Sequence, residues 1–200
     1  MPELRSALTG HLRPGRFGAA GEPLVLSERP LGTLIQLSGW PESFEGAVRP
    51  VLEPLGLSGI GGFDRAQLSE KALALRVSPE RLLLRLKSAG DWAKVGSGID
   101  QALTPFLDLS HSRTVIRLVG ANAAALLARL LPIDFEEQAF GAGRFVQSGI
   151  HTVAALVHRD ADEAGVPTYD IYVPRSFAAS TWDLITRTAM PFGYRVDAGT

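Results

Sequence analysis

The densest set of chemically capable side chains is Asp108-Leu109-Ser110-His111-Ser112-Arg113, where a carboxylate, an imidazole and two hydroxyls stand within six residues. Such types can form a nucleophile with its base and orienter. A Ser-His-Asp triad, however, draws its members from different elements around an oxyanion hole, and the chain has no Gly-x-Ser-x-Gly elbow. Asp and Ser ahead of a strand ordinarily hydrogen-bond their own backbone. The cluster is therefore read as a turn.

Other candidates divide in the same way. His11, His151 and His158 have no metal-ligand spacing and no acidic pair beside them, and seven residues across a hairpin should keep the rings of His151 and His158 apart. Arg144, between Gly143 and Phe145, could grip a carboxylate or phosphate in bidentate fashion, but an arginine leaving a glycine turn more often stands as a charge at a strand edge. Ser58-Gly59-Ile60-Gly61-Gly62-Phe63 is glycine-rich enough for backbone amides to approach a phosphate. No strand leads into it and no Lys-Ser/Thr follows, so it reads as a loop, mobile or ordered against a partner. Trp92 and Trp182 sit on inward helix faces at matched positions, where packing explains them as well as stacking on a flat cofactor; Trp40 stands apart. The acids Glu136-Glu137 and Asp160, Asp162, Glu163 fall in loops, where solvation is the default, and nothing places two of them across a cleft. No catalytic, cofactor-binding or metal-binding residue is assigned.

The elements that position these residues follow from periodicity. Thr33 to Leu37 is a short strand, and Pro41-Glu42-Ser43 opens a helix carrying Phe44, Val48, Val51, Leu52 and Leu55, bent by Pro50 and Pro54 and ended by Gly56. Lys71 to Val77 and Arg81 to Leu86 form a hairpin around Pro79-Glu80, followed by a helix from an Asp91 cap to Leu103 with Trp92, Val95, Ile99 and Leu103 inward. The second half repeats this plan: strand Arg113 to Val119, helix Ala121 to Leu131, strands Arg144 to Ser148, Val153 to His158 and Thr168 to Val173, and a closing helix from Pro174-Arg175-Ser176 to Met190, stopped by Pro191. Leu34 to Gly39 aligns with Val115 to Gly120 at an offset of 81, and Trp92 with Trp182 at an offset of 90. The expected fold is α+β: two pseudo-symmetric split β-α-β (ferredoxin-like) halves in a single compact body, residues 31–106 and 107–200. Residues 1–30, rich in Pro and Gly without a period, form an extended N-terminal arm suited to strapping onto a partner.

Composition narrows the class. With 46% hydrophobic and 20% charged residues the chain can build a packed core. Its net charge of -1, without a basic block, argues against nucleic acid. A split β-α-β sheet that binds RNA also needs exposed aromatics with basic flanks on its central strands, and Lys71 to Val77 offers neither. Zero cysteines exclude disulfides and thiolate chemistry and fit a cytoplasmic location. No secretory leader or spanning segment is read: Ala121 to Leu131, the greasiest run, is interrupted by Asn122 and Arg129, so no membrane association is expected.

Asp108 to Gly120, together with Ala124 to Leu131, Pro132-Ile133-Asp134, Phe140 to Gln147 and Tyr169 to Ala178, resembles the gamma subunits of heterotetrameric sarcosine oxidases. The wider superfamily is the folate-binding, aminomethyltransferase-like fold, whose duplicated halves suit the repeat. The resemblance implies an accessory, non-catalytic subunit of a flavin-dependent oxidoreductase that demethylates sarcosine to glycine, with hydrogen peroxide formed and a one-carbon unit passed to tetrahydrofolate. It further implies alpha, beta and delta subunits as partners, alpha most directly. FAD, FMN, NAD, zinc and tetrahydrofolate would be held by those subunits and none by this chain. Two neighbouring expectations use the same features: a free-standing folate-dependent one-carbon transfer protein, and a subunit of a related demethylase for N-methyl amino acids or betaines.

Overall fold

The computed structural model describes residues 6–197. The chain divides into two compact units, one of residues 31–112 and the other of the N-terminal segment up to Pro30 together with the chain from Arg113 onward.

The N-terminal segment forms a turn around Leu8 and then two strands, β1 (Gly15–Phe17) and β2 (Leu24–Arg29). Alternation in β2 puts Leu24 and Leu26 into the core and turns Val25, Ser27 and Arg29 to the other face. The expected extended arm is thereby corrected where residues 15–17 and 24–29 form strands of the sheet; residues 1–5 lie outside the described residues. The apolar alternation of Leu24 and Leu26 makes this stretch an interior strand, and Leu8 is fully buried as well.

The 31–112 unit follows the expected order. Strand β3 (Thr33–Ser38) leads into α1 (Phe44–Leu52), whose buried Phe44, Val48, Val51 and Leu52 form one helical face. Past Pro50 the helix tightens into a 3-10 turn at Glu53–Leu55, and Gly56, at φ 77°, ends it. After β4 (Gln67–Leu68), β5 (Ala72–Ser78) and β6 (Arg81–Leu86) make the hairpin around Pro79-Glu80, with Leu82, Leu84 and Leu86 in the core. Helix α2 (Ala89–Gly96) differs from expectation. It starts at Ser88, whose hydroxyl accepts the Gly90 N–H (3.2 Å), and stops at Gly96, so Ile99 and Leu103 lie beyond it. Ser88 is the earlier competent cap, and Gly96 and Gly98 together end the helix early. Strand β7 (Phe106–Asp108) pairs with β3, so the first half extends past residue 106 and the unit closes at Ser112. The sheet order β4-β5-β6-β3-β7 is a split β-α-β plan with one added edge strand.

The second unit contains β8 (Arg113–Val119), α3 (Ala123–Leu130), β9 (Phe145–Ile150), β10 (Val153–Arg159), β11 (Thr168–Pro174), α4 (Ala178–Ala189) and β12 (Tyr194–Val196). Its order is β1-β12-β2-β8-β11-β10-β9. β8, β11 and β10 match β3, β6 and β5: Ser38 faces Arg81 as Val119 faces Thr168, which preserves the repeat offset of 81 on the first strand. The place beside β8 that β7 fills in the first unit is taken by β2, and β12, unforeseen in the sequence, is displaced one position outward to run parallel to β2. Leu26, Ile116, Leu118, Val157 and Ile171 from the sheet meet Leu126, Leu127, Trp182, Ile185 and Ala189 from the helices. Each large aliphatic side chain fully buried there contributes roughly 1.5–3 kcal/mol of transfer free energy.

Candidate functional site

One cross-strand row of the seven-stranded sheet is polar. Ser27 on β2, Arg117 on β8, Asp170 on β11 and His158 on β10 stand in register, side by side. The neighbours dictate this: Ile116 and Leu118 enter the core and turn Arg117 to the opposite face, while Tyr169 and Ile171 do the same for Asp170. Asp170, with 0% exposure, receives Arg117 Nε at 2.8 Å on one oxygen and Arg29 on the other. Asp160, at the end of the β10 hairpin arm, also takes Arg29, at 2.9 Å, and Arg117. Glu163 closes the set at 3.1 Å from Arg117.

Burial alone would make Arg117 easier to deprotonate, but the hydrogen bond and charge of Asp170, with Asp160 behind it, outweigh this and raise its pKa. Burial pushes Asp160 up, whereas the Ala161 N–H and the Arg117 charge prevail and hold it below the usual carboxylate range. An arginine in such company keeps its proton, and both oxygens of Asp170 already accept hydrogen bonds from guanidinium groups. The network fixes strands and a loop. It is poorly suited to proton transfer.

A second node lies on the core face. Arg159, almost fully buried, donates to Asp162 (2.5 Å), Glu137 (3.1 Å) and the Asp160 carbonyl (2.7 Å), and its guanidinium lies 5.2 Å from the centre of the Tyr169 ring. Burial opposes its charge, and the hydrogen bonds it donates to Asp162 and Glu137 more than compensate, raising its pKa. Tyr169 in turn donates to the Phe135 carbonyl at 3.3 Å and packs edge-on to Phe135. These contacts bind the loop after α3 to the β10–β11 connection.

Of the acids expected to be solvated, Glu137, Asp162 and Glu163 are exposed, yet each also pairs with an arginine on a strand; Asp160 departs from the expectation, being largely withdrawn from solvent between Arg29 and Arg117. Arg29, Arg117, Arg159 and Asp170 were not singled out in the sequence. For Arg117 and Asp170 the signal was a charge in the middle of an apolar strand, as in Val115-Ile116-Arg117-Leu118-Val119, because a buried charge needs a partner; Arg29 and Arg159 close their strands and carried no such signal.

The Asp108 to Arg113 segment is a turn at its start. Asp108 Oδ1 accepts the Ser110 hydroxyl (2.5 Å) and amide (2.8 Å), and these two bonds hold its pKa below normal. Ser110 Oγ accepts the Leu34 N–H at 3.0 Å, and Ser112 Oγ donates to the Leu109 carbonyl at 2.9 Å. His11 lies 3.6 Å from Asp183, His151 sits at the β9–β10 turn with φ 52°, and His158 is buried on β10, so the three do not converge. Among the described residues no group of three or more His, Asp or Glu side chains is arranged to hold a metal. The Ser58 to Phe63 loop is anchored by buried Ile60, and Arg76 stacks over Phe63 at 4.5 Å. Arg144 closes a tight turn, its N–H donating to the Gly141 carbonyl at 3.1 Å. Trp182 is buried in the core, Trp92 packs edge-on against Phe106, and Trp40 is 63% exposed. No helix among the described residues is long and apolar enough to cross a membrane.

The duplicated α+β architecture is that of the aminomethyltransferase-like, folate-binding fold. Glycine cleavage system aminomethyltransferase T from Bartonella henselae superposes with a TM-score of 0.59 at 15% identity over 88% of this chain, which spans 48% of that one. A fuller match is a chain of the heterotetrameric sarcosine oxidase from Corynebacterium sp. U-96, solved in complex with pyrrole 2-carboxylate: TM-score 0.80, 21% identity, 94% of this chain and 96% of that one. In sequence the chain is similar to the sarcosine oxidase subunit gamma of Corynebacterium sp. (strain U-96), 27% identical over 166 residues that make up 81% of this chain and 80% of that protein. No family model matches the chain.

Proposed function

We propose that this chain is the gamma, accessory subunit of a heterotetrameric sarcosine oxidase and performs no chemistry itself. One observation carries the proposal: the likeness to a gamma subunit covers 81% of this chain and 80% of that protein, so it concerns the whole subunit and not a shared module. The geometry supports the same reading, because the polar network of the seven-stranded sheet is taken up in pairing Arg29 and Arg117 with Asp160 and Asp170. The assembly would oxidise the N-methyl group of sarcosine through flavin, releasing glycine and hydrogen peroxide and passing the one-carbon unit to tetrahydrofolate. Alpha, beta and delta subunits would be the partners in the cytoplasm, carrying FAD, FMN, NAD, zinc and the folate.

The test is co-expression of the tagged chain with alpha, beta and delta sarcosine oxidase subunits from the same source. Flavin absorbance is recorded between about 350 and 500 nm, followed by a sarcosine-dependent peroxide assay. A yellow, peroxide-forming complex containing this chain is expected. A colourless monomer that saturably binds tetrahydrofolate would overturn the proposal.

A further inference from the structure

The turn ahead of β1, β1 itself, β12 and α4 border a cavity of about 470 Å³, within the ~300–1,000 Å³ of small-molecule sites. Its walls bring together three aromatic side chains, Phe17, Trp182 and Tyr194, and two charges of opposite sign, Arg13 and Asp183. Phe17 and Tyr194 stand opposite each other in the β1–β12 pair, and α4 supplies Trp182 with Asp183 next to it in the chain. Thr186 is committed within the wall, its hydroxyl donating to the Trp182 carbonyl at 2.9 Å.

Both charges are open to a ligand. Arg16 donates to the Gly21 carbonyl at 2.8 Å, Arg187 to the Asp183 carbonyl at 3.1 Å, and Arg195 pairs with Asp197 at 2.7 Å. Arg13, by contrast, is exposed and has no hydrogen bond or ion pair among the described residues. The Asp183 carboxylate is 54% exposed, and its contact to His11 is a long one, 3.6 Å.

The rings decide the chemistry between these charges. Phe17 and Tyr194 stack on each other, centroids 5.2 Å apart and planes inclined by 24°, so a flat ligand ring has no room between them. The wall therefore offers aromatic surface, with Phe17 37% exposed, beside a carboxylate. Ring quadrupole and carboxylate both attract a cation. An ammonium that carries hydrogens would shed water there with too few acceptors to replace it, whereas N-methyl groups make no such demand and lie directly against the rings. The Arg13 guanidinium presents a fork that matches a carboxylate.

We propose that this cavity binds a small zwitterion, a carboxylate joined to a quaternary N-methylated ammonium. Arg13 holds the carboxylate, and Phe17, Trp182, Tyr194 and Asp183 hold the cation. The site is built from this chain's own residues and is independent of the accessory-subunit reading.

The probe is trimethylglycine, titrated calorimetrically into the purified full chain and into the co-expressed complex. One site per copy of this chain is expected. Glycine, which lacks the methyl groups, and tert-butylacetate, which keeps the shape without the positive charge, should each bind at least about tenfold more weakly. Arg13→Ala and Asp183→Asn alter exposed side chains, so circular dichroism should stay unchanged while each weakens binding by about tenfold or more. Phe177→Ala, an exposed aromatic outside the cavity lining, should bind like wild type. In the complex the Arg13 and Asp183 substitutions should weaken one site per copy of this chain and leave sites on other subunits untouched. Wild-type protein with no saturable site in either form, or a site that both substitutions leave intact, would overturn the proposal. Glycine or tert-butylacetate binding as tightly as trimethylglycine would overturn it as well.

Discussion

Arg117 and Asp170 face each other across β8 and β11, Nε to Oδ1 at 2.8 Å, with the carboxylate wholly removed from solvent. Neither charge would tolerate that position alone. The aspartate is held by two arginines, one of them Arg29 from a strand 141 residues away in sequence. The pair therefore joins the N-terminal strand to the centre of the sheet.

Removing one partner of such a set leaves an uncompensated buried charge. Asp170→Ala should cost about 3–5 kcal/mol in urea unfolding of the purified chain or its complex, and Arg117→Ala a similar amount. The double variant should lose markedly less than the sum of the two. Simple additivity would show that the pair is not coupled.

Acid should release the loop that carries Asp160. Its folded pKa is depressed, so its contribution is fully present above the unfolded value of about 3.9 and disappears as pH falls through the folded value. Asp160→Asn should lower thermal stability at neutral pH and flatten its fall between about pH 5 and 2. Melting curves of wild type and variant that stay parallel through this window would contradict the assignment.

The N-terminal segment is structural. Leu26→Ala removes a fully buried side chain between Ile116-side and helix-side residues of the core and should cost about 2–5 kcal/mol. Deletion of residues 11–30 takes β2 out of the sheet between β8 and β12, and the far-UV circular dichroism of the chain should collapse. A deletion variant with native circular dichroism would restore the idea of a dispensable strap.

Gly193 marks where the last strand begins. Its φ of 72° with ψ of 137° is a region that side chains avoid, and a Cβ there would overlap the Ala19 carbonyl oxygen. Gly193→Ala should destabilise by at least about 1–3 kcal/mol, read as a lowered melting temperature. An unchanged melting temperature would mean that the β2–β12 crossing is looser than its geometry indicates.

The sequence by itself determined the local elements and their duplication. Strands with period two, an alanine- and leucine-rich α3, and proline and glycine stops placed most elements within a few residues, because these signals depend on near neighbours. The offset of 81 between Ser38 and Val119 survives in the strand pairing for the same reason. The Asp108–Ser110 turn was equally readable, since its hydrogen bonds span two residues. Tertiary structure alone decided where residues 15–29 go. A Pro/Gly-rich stretch looks like an arm until β2 pairs with β8, which brings Leu24 and Leu26 into the core and Arg29 against Asp170 of β11 and Asp160 beyond β10. It decided, too, that Asp160, Asp162 and Glu163 are paired, because their arginines arrive from strands distant in sequence, and spacing along a chain carries no record of which strands become neighbours. The shortening of α2 belongs to the same class: how deeply an apolar face is buried depends on what folds against it, and Val95 and Ile99 pack against the core of their unit while staying only partly buried.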